Sequence, residues 1–249
     1  MALISLDDLD GLDDDITDDT SSDDVTEEQP MGEDRLLSHW QRVGSTHQVS
    51  VPQEMTGPIH EMTRNSQQRE TLPYAHISSH HKMGELQYEE RVYPAGRWAV
   101  VTRADELYEQ SISIAFMKLM RFICKENSLG QYLGMTVPVV SLVHVAEDGS
   151  QFQKKVLTGF FLPTRHQNCP PEPVDPEIQI QDWDQLTVIA RPFLGTTNEA
   201  TVTRQISSLW EVLSESEDVL RDRYMVAVFE NPGVPQRRNE IWFIRERRQ

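Results

Sequence analysis

The spacing of apolar and polar side chains predicts regular structure from Leu86 to the end of the chain. Two strands are predicted in LQYEERVY and RWAVVTRA, which alternate around a turn at Pro94–Gly96. Between Glu106 and Asn127 the apolar residues recur every three or four positions, which predicts a helix. A hairpin is then predicted in TVPVVSLVHV and KKVLTGFFLP, closed by the turn EDG.

The same order of elements occurs a second time. Strands are predicted in EIQIQD and QLTVIARPF, a helix from Thr197 to Glu217, and two closing strands in RYMVAVFE and NEIWFIRE. We therefore predict an α+β fold made of two strand-strand-helix-strand-strand repeats. Because each helix can cover one face of a sheet, we expect a distorted antiparallel β-barrel flanked by two helices.

The first third of the chain lacks this pattern. Residues 1–34 hold 14 Asp or Glu and no Lys or Arg, a composition typical of a disordered tail. Residues 35–82 are rich in Gln, Ser, His, Thr and Pro, and predict a linker. We therefore assign residues 1–82 to a disordered acidic tail and linker, and residues 83–249 to the folded domain. Removing the chain up to about His81 is then expected to leave stability nearly unchanged.

The charge of the chain is concentrated in that tail. The whole sequence has a formal net charge of -17, whereas residues 35–249 have 26 acidic and 23 basic side chains. A nearly neutral domain behind an acidic tail does not favour nucleic-acid binding, because phosphate contacts need a basic face. The tail is expected to be a solvating segment, or, in the alternative, a short helix that folds on a protein partner.

The remaining composition indicates compartment and class. Two cysteines do not form a disulfide framework, and no apolar run approaches the roughly 20 residues of a membrane helix. We expect a cytoplasmic monomer without membrane binding. The sequence has no Gly-rich phosphate loop, no GxSxG and no HExxH, so we expect no enzymatic activity.

The first predicted helix has two stripes of apolar residues. A core stripe is formed by Ile112, Ala115, Phe116, Leu119, Met120 and Ile123. A second stripe comprises Ile114, Met117, Lys118 and Arg121, with Phe122 further round. Apolar groups beside two cations suit a flat, apolar, anionic ligand. Periodicity alone favours the plainer interpretation, in which the Lys and Arg stems shield ordinary surface residues.

Several segments resemble motifs of the SOUL heme-binding protein family, most closely its branch of cytosolic heme-binding proteins. They are YEERVY at 88–93, GMTVPVVSLV at 134–143, EDGSQFQKK at 147–155 and RRNEIWFI at 237–244. The resemblance extends from Leu86 to Arg248. It implies reversible, non-catalytic binding of heme or another porphyrin in a shallow apolar cleft beside the first helix, as a carrier or buffer of this tetrapyrrole ligand.

The resemblance also implies which residues bind the porphyrin. They are the second stripe of the first helix: Ile114, Met117, Lys118, Arg121 and Phe122. Val92, Ser113 and Gly233 depart from the family, because relatives carry a histidine or a basic residue there. These departures leave an alternative function open, a protein-interaction module that has lost tetrapyrrole binding and acts through its acidic tail.

The Pro-rich loop HQNCPPEPVDP offers two candidate axial ligands of heme iron. Cys169 precedes Pro170, and His166 lies three residues earlier. A cysteine thiolate or an imidazole can ligate ferric iron if the loop folds over the cleft. The plainer interpretation is a connecting loop with no role in binding.

Overall fold

The computed structural model describes residues 33–145, 152–213, 218–230 and 236–246. The first 32 residues of the predicted acidic tail and the predicted EDG turn lie outside the described residues. Gly32 to Gln249 belong to one compact unit.

The described part of the chain has four α-helices and eleven strands. The helices are α1 (Glu33–Thr46), α2 (Thr56–Arg64), α3 (Tyr108–Cys124) and α4 (Glu199–Trp210). The strands are β1 (Glu70–Thr71), β2 (Ala75–Lys82), β3 (Glu85–Tyr93), β4 (Gly96–Arg103), β5 (Thr136–Val137), β6 (Val139–Val145), β7 (Phe152–Phe161), β8 (Ile178–Trp183), β9 (Leu186–Leu194), β10 (Val219–Val228) and β11 (Arg238–Arg245).

Nine of these strands form one antiparallel sheet in the order β2-β3-β9-β11-β10-β6-β7-β4-β8. The predicted α+β class and the repeated order of two strands, one helix and two strands are confirmed: β3, β4, α3, β6 and β7 are followed by β8, β9, α4, β10 and β11. In the described residues β2 and β8 do not pair with each other, so the sheet stays open.

Successive side chains of each strand lie on opposite faces of the sheet, and the apolar ones form three clusters. One face gathers inward residues from seven strands of both repeats, such as Val100, Val140 and Val188. On the opposite face, α3 packs on β4 and β7, and α4 packs on β9, β10 and β11. The period of two along each strand therefore gives the sheet an apolar inner face and two helix-covered outer patches.

The prediction of a linker over residues 35–82 was wrong. α1 and α2 pack against α3, and five buried residues of these helices and of the connection between them join its apolar cluster: Leu37, Val51, Met55, Ile59 and Met62. The spacing of Met55, Ile59 and Met62 is helical, and polar residues between the apolar ones obscure it. Because this segment contributes buried side chains, the expectation that the chain can be cut near His81 without loss of stability is corrected.

The last element of that segment is a strand rather than a linker. Among the described strands, β2 pairs only with β3, at one end of the sheet, and all eight of its side chains are exposed. Its pairing with β3 is irregular at two places, between His76 and Ser78 and between His80 and His81.

A buried ion pair connects the two repeats across the inner face. The Arg91 Nη1 atom donates to Glu240 Oε2 at 2.9 Å, and both side chains are almost fully buried. The Trp242 indole donates to the same carboxylate oxygen at 2.7 Å, and Arg238 donates to the other at 2.8 Å. Burial opposes the charge of Arg91, but Glu240, Tyr93 and Glu89 outweigh it and raise the pKa of Arg91.

None of the described helices is long and apolar enough to cross a bilayer.

Candidate functional site

A cavity of about 120 Å³ lies between α1 and α3. Its floor is formed by Val139 and Ser141 of β6 and Thr158 of β7, and the Ser141 and Thr158 hydroxyls are 3.2 Å apart. The end of β10 and the residue before β11 close one side. Elements from both repeats and from the N-terminal segment therefore meet at this cavity.

The α3 side of the cavity consists of Tyr108, Ile112, Ser113, Phe116 and Met117. These positions form one stripe of the helix, next to the buried stripe that holds α3 on the sheet. Ile112 and Phe116 belong to the predicted core stripe but are only partly buried. The cavity is therefore lined by residues of both predicted stripes: Ile112 and Phe116 from the core stripe and Met117 from the second.

The α1 side consists of Trp40, Val43, Gly44 and His47, which are spaced at i, i+3, i+4 and i+7. The Trp40 ring stacks on Phe116, with 6.1 Å between the ring centroids and 9° between the planes. This helical spacing is a signal that the sequence analysis missed, because the polar residues around it suggest a linker.

Gly44 fixes the chain where α1 ends. A Cβ atom at this position would lie 2.7 Å from the Val49 carbonyl oxygen and from Val51 Cγ2, so only glycine permits the approach. Gln48 has a φ of 55°, and the Val49 amide donates to the Gly44 carbonyl at 2.8 Å. The chain reverses after α1 in this way, and Val49 and Val51 reach the cavity.

His47 contributes a neutral imidazole to the cavity wall. Its Nδ1 atom lies 2.7 Å from the Ser113 hydroxyl oxygen on α3. Burial lowers the pKa of His47, Glu109 opposes this change, and Arg237 adds to it. At neutral pH the ring is therefore uncharged, with its one proton on either Nδ1 or Nε2.

Two arginines and one glutamate also line the cavity: Arg69, Arg237 and Glu230. Both guanidinium groups are half-buried, and burial lowers the pKa of each. Arg237 Nη2 donates to the Thr197 hydroxyl at 3.3 Å. Neither arginine is among the residues predicted from the sequence to bind a ligand. Arg237 could have been found at the start of RRNEIWFI, whereas no local pattern marks Arg69.

Of the five predicted porphyrin-binding residues, Met117 lines the cavity. Ile114 is half-buried on the same helix and is not among the lining residues. Phe122 is fully buried and packs near Phe160, with 6.4 Å between the ring centroids. Phe122 therefore belongs to the core, and its assignment to the cleft is corrected.

The two predicted cations of α3 have acidic partners outside the cavity. Lys118 Nζ lies 2.6 Å from Asp175 and 3.3 Å from Glu177. Arg121 Nε lies 2.7 Å from Glu126. Burial opposes the charge of Lys118, but the two carboxylates outweigh it and raise the pKa of the ammonium group.

The two predicted axial ligands, His166 and Cys169, do not line the cavity. His166 is buried, and its Nε2 atom accepts a hydrogen bond from Arg165 Nε at 3.1 Å. Cys169 is exposed. His166 cannot offer that nitrogen to a metal without losing the hydrogen bond, so this loop gives no support to axial ligation.

The two thiols are expected to differ in reactivity. Burial raises the pKa of Cys124 to about 12, and Glu61 adds to the effect, so its reactive thiolate is scarce at pH 8. We expect an alkylating reagent to modify one thiol per native chain at pH 8, at Cys169, and a second only after denaturation. Intact mass measurement checks this. Rapid double labelling, or one label persisting in native Cys169→Ser, would contradict it.

A wider groove of about 820 Å³ lies at one end of the inner sheet face. Leu142, Met225 and Ile244 contribute apolar contacts, but four charged side chains also line it: Asp184, Arg223, Arg245 and Glu246. This groove is larger than the α1–α3 cavity but more highly charged, so it suits a flat apolar ligand less well. Across the described ranges, no three His, Cys, Asp or Glu side chains group as a metal site.

Comparison with known proteins identifies the family to which this chain belongs. Residues 69–244 match the family model described as SOUL heme-binding protein. Heme-binding protein 1 of Bos taurus is 32% identical over 177 residues, which cover 71% of this chain and 92% of the relative. Heme-binding protein 1 of Mus musculus is 32% identical over 178 residues, covering 71% and 93%. Heme-binding protein 2 of Homo sapiens is 29% identical over 163 residues, covering 64% and 78%. The family match begins after α1 and α2.

Proposed function

Because this chain belongs to the SOUL heme-binding protein family, we propose that it binds heme or another porphyrin reversibly in the α1–α3 cavity, as a non-catalytic carrier or buffer. The observation that carries this proposal is the apolar lining from two helices, Trp40 and Val43 of α1 and Phe116 and Met117 of α3, with the Trp40 ring stacked on Phe116. Two arginines belong to the same lining. Apolar walls suit a flat macrocycle, and guanidinium groups suit its carboxylates.

The chemistry of the lining residues fits a porphyrin. The cavity itself is too small for one and has to widen when the ligand binds. Its volume of about 120 Å³ is below the roughly 300–1,000 Å³ of ligand pockets. In this proposal α1 moves outward to widen the cavity, because among its residues with described burial only Leu37 and Gly44 are buried. Eight residues of α3 are buried, so α3 stays on the sheet.

Arg69 and Arg237 take the role that the resemblance gave to Lys118 and Arg121. Both arginines line the cavity, whereas Lys118 and Arg121 are engaged by Asp175, Glu177 and Glu126. In the proposed complex the two arginines meet the carboxylates of the ligand. They compensate for Ser113, which stands where relatives carry a basic residue.

Met117→Asp tests the position of the macrocycle. A carboxylate on the apolar wall would have to be buried against the ring, so we expect binding of protoporphyrin IX to weaken by about tenfold or more, equivalent to about 1.4 kcal/mol. Ile114→Asp is the matched control, because Ile114 lies on α3 outside the cavity. Fluorescence titration of the full chain measures both. Equal affinities in the two variants would place the ligand elsewhere.

Arg69→Gln and Arg237→Gln test the contact with the carboxylates. We expect each to weaken binding of protoporphyrin IX by about tenfold or more, since a hydrogen bond to a charged group contributes about 1.5–3 kcal/mol. The dimethyl ester of the same porphyrin should not respond, because its carboxylates are blocked. Lys118→Gln is the matched control and should leave both affinities unchanged. If the ester loses affinity to the same extent, the arginines act on the shape of the cavity rather than on charge.

The alternative of a protein-interaction module that acts through its acidic tail makes the opposite prediction. Saturable binding of neither hemin nor protoporphyrin IX at micromolar concentration would reject the porphyrin proposal and favour that alternative.

A further inference from the structure

One residue of the cavity wall has a side chain suited to heme iron. Among the described residues that line the cavity, His47 is the only histidine, and no cysteine lines it. Imidazole is a frequent axial ligand of heme iron, more so than the thioethers of Met117 and Met135, which also line the cavity. Tyr108 is almost fully buried, and burial raises the pKa of its phenol, which disfavours a phenolate ligand.

The contact with Ser113 prepares one nitrogen of His47 for a metal. In the tautomer with the proton on Nδ1, this atom donates to the Ser113 hydroxyl oxygen at 2.7 Å. The lone pair of Nε2 is then available. Histidine ligands of metals commonly have this arrangement, in which a hydrogen bond at one ring nitrogen orients the other. Ser113 is therefore a positioning residue in this arrangement.

His47 also lies at the C-terminal end of α1, where the chain reverses. It follows the last residue of the helix, and its amide donates to the Gly44 carbonyl at 3.0 Å. Val51, four residues later, is buried. Trp40 lies seven residues earlier, about 10 Å away along a helix that rises 1.5 Å per residue. An outward tilt of α1 about its C-terminal end displaces Trp40 much more than His47.

We propose that His47 is the axial ligand of heme iron in this cavity, an inference that rests on the proposed porphyrin binding. The Nε2 lone pair of His47 forms the bond, no proton is displaced, and the oxidation state of the iron does not change. His47 precedes the segment that matches the family model, so the ligand belongs to the N-terminal segment of this chain. The predicted ligands His166 and Cys169 have no part in this arrangement.

The test compares hemin with metal-free protoporphyrin IX on the full chain. We expect His47→Ala to shift the Soret band and the spin state of ferric iron, and to weaken hemin binding by about tenfold, equivalent to about 1.4 kcal/mol. Its affinity for protoporphyrin IX should stay within about twofold of the original, because the metal-free ring has no axial bond to lose. Added imidazole should restore the original spectrum of the His47→Ala complex.

His166→Ala is the matched control and should leave the ferric spectrum unchanged, because His166 does not line the cavity. An unchanged spectrum in His47→Ala with hemin bound would overturn this inference and leave the proposed function standing. If the unsubstituted chain binds protoporphyrin IX and hemin equally well, with the hemin spectrum of a porphyrin lacking a protein ligand, the inference also fails. If it binds neither, the proposed function fails and this inference with it.

Discussion

A chain truncated to residues 81–249 is expected to aggregate or to lose its cooperative unfolding transition. The truncation removes α1, α2, β1 and most of β2, and with them six buried apolar residues: Leu37, Val51, Met55, Ile59, Met62 and Leu72. All of these except Leu72 pack in the cluster of α3, so the truncation also exposes a face of that helix. Full burial of each such side chain contributes about 1.5–3 kcal/mol, and domains have a net stability of only about 5–15 kcal/mol.

The matched truncation begins at Glu33 and keeps every described element. We expect it to unfold at the temperature of the full chain, because the removed residues form an acidic segment without apolar periodicity. Thermal unfolding followed by circular dichroism separates the two truncations. Ile59→Ala in the full chain provides a milder measure and should cost about 2–5 kcal/mol. Equal melting of the two truncated chains would contradict the role of α1 and α2.

Replacing Glu240 by leucine is expected to destabilise the fold by about 3–5 kcal/mol. The substitution leaves the almost fully buried Arg91 guanidinium with Glu89, which is partly exposed, as its remaining carboxylate partner, and the Trp242 indole loses its acceptor. At roughly 2–4 °C per kcal/mol for a domain of this size, Tm should fall by about 6–20 °C. Asp182→Ala is the matched control. Its pair with Arg97 is exposed, so the change should cost no more than about 1 kcal/mol.

A double substitution distinguishes loss of the ion pair from loss of packing. Arg91→Leu combined with Glu240→Leu removes both buried charges of the pair, and the carboxylate that loses Arg91, Glu89, is partly exposed. We expect the double variant to be more stable than Glu240→Leu alone, which a chemical denaturation series can measure. If the two losses add, the carboxylate and the guanidinium act independently.

Much of the sheet could be predicted from the sequence because its strands follow simple periodic patterns. In β4 and β11 the residues alternate between the inner face and the helix-covered face, and both faces are apolar. α3 and α4 have buried stripes at helical spacing, as Leu119 and Leu209 illustrate. Such local patterns determine the elements regardless of their partners.

The N-terminal helices were not predicted, because their apolar residues are few and become meaningful only against a partner. Trp40, Val43 and His47 form a face of α1 that packs on α3. Without that partner, the same residues occur in a polar, histidine-containing segment that resembles a linker. Tertiary packing therefore stabilises this helix more than its own composition does.

The cavity was predicted only in part, for a similar reason. Met117, which the sequence predicts as a porphyrin-binding residue, lines the cavity, whereas Lys118 and Arg121 pair with acids that lie far away in the sequence or in a following turn. Arg69 reaches the cavity through the long-range fold, which no local spacing reveals. Periodicity identifies the face of a helix but not the charges that neighbouring elements bring to it.

The polar character of β2 has a consequence for how separate molecules meet. A strand at the end of a sheet presents unpaired amides and carbonyls, which another chain can use to extend the sheet. β2 places serine, histidine and lysine on both of its exposed faces, and two irregularities interrupt its ladder with β3. An incoming strand would meet a hydrated, uneven edge with little apolar surface to bury. This edge therefore protects the open sheet against intermolecular pairing and aggregation. A closed barrel would need no such protection, because it has no free edge strand.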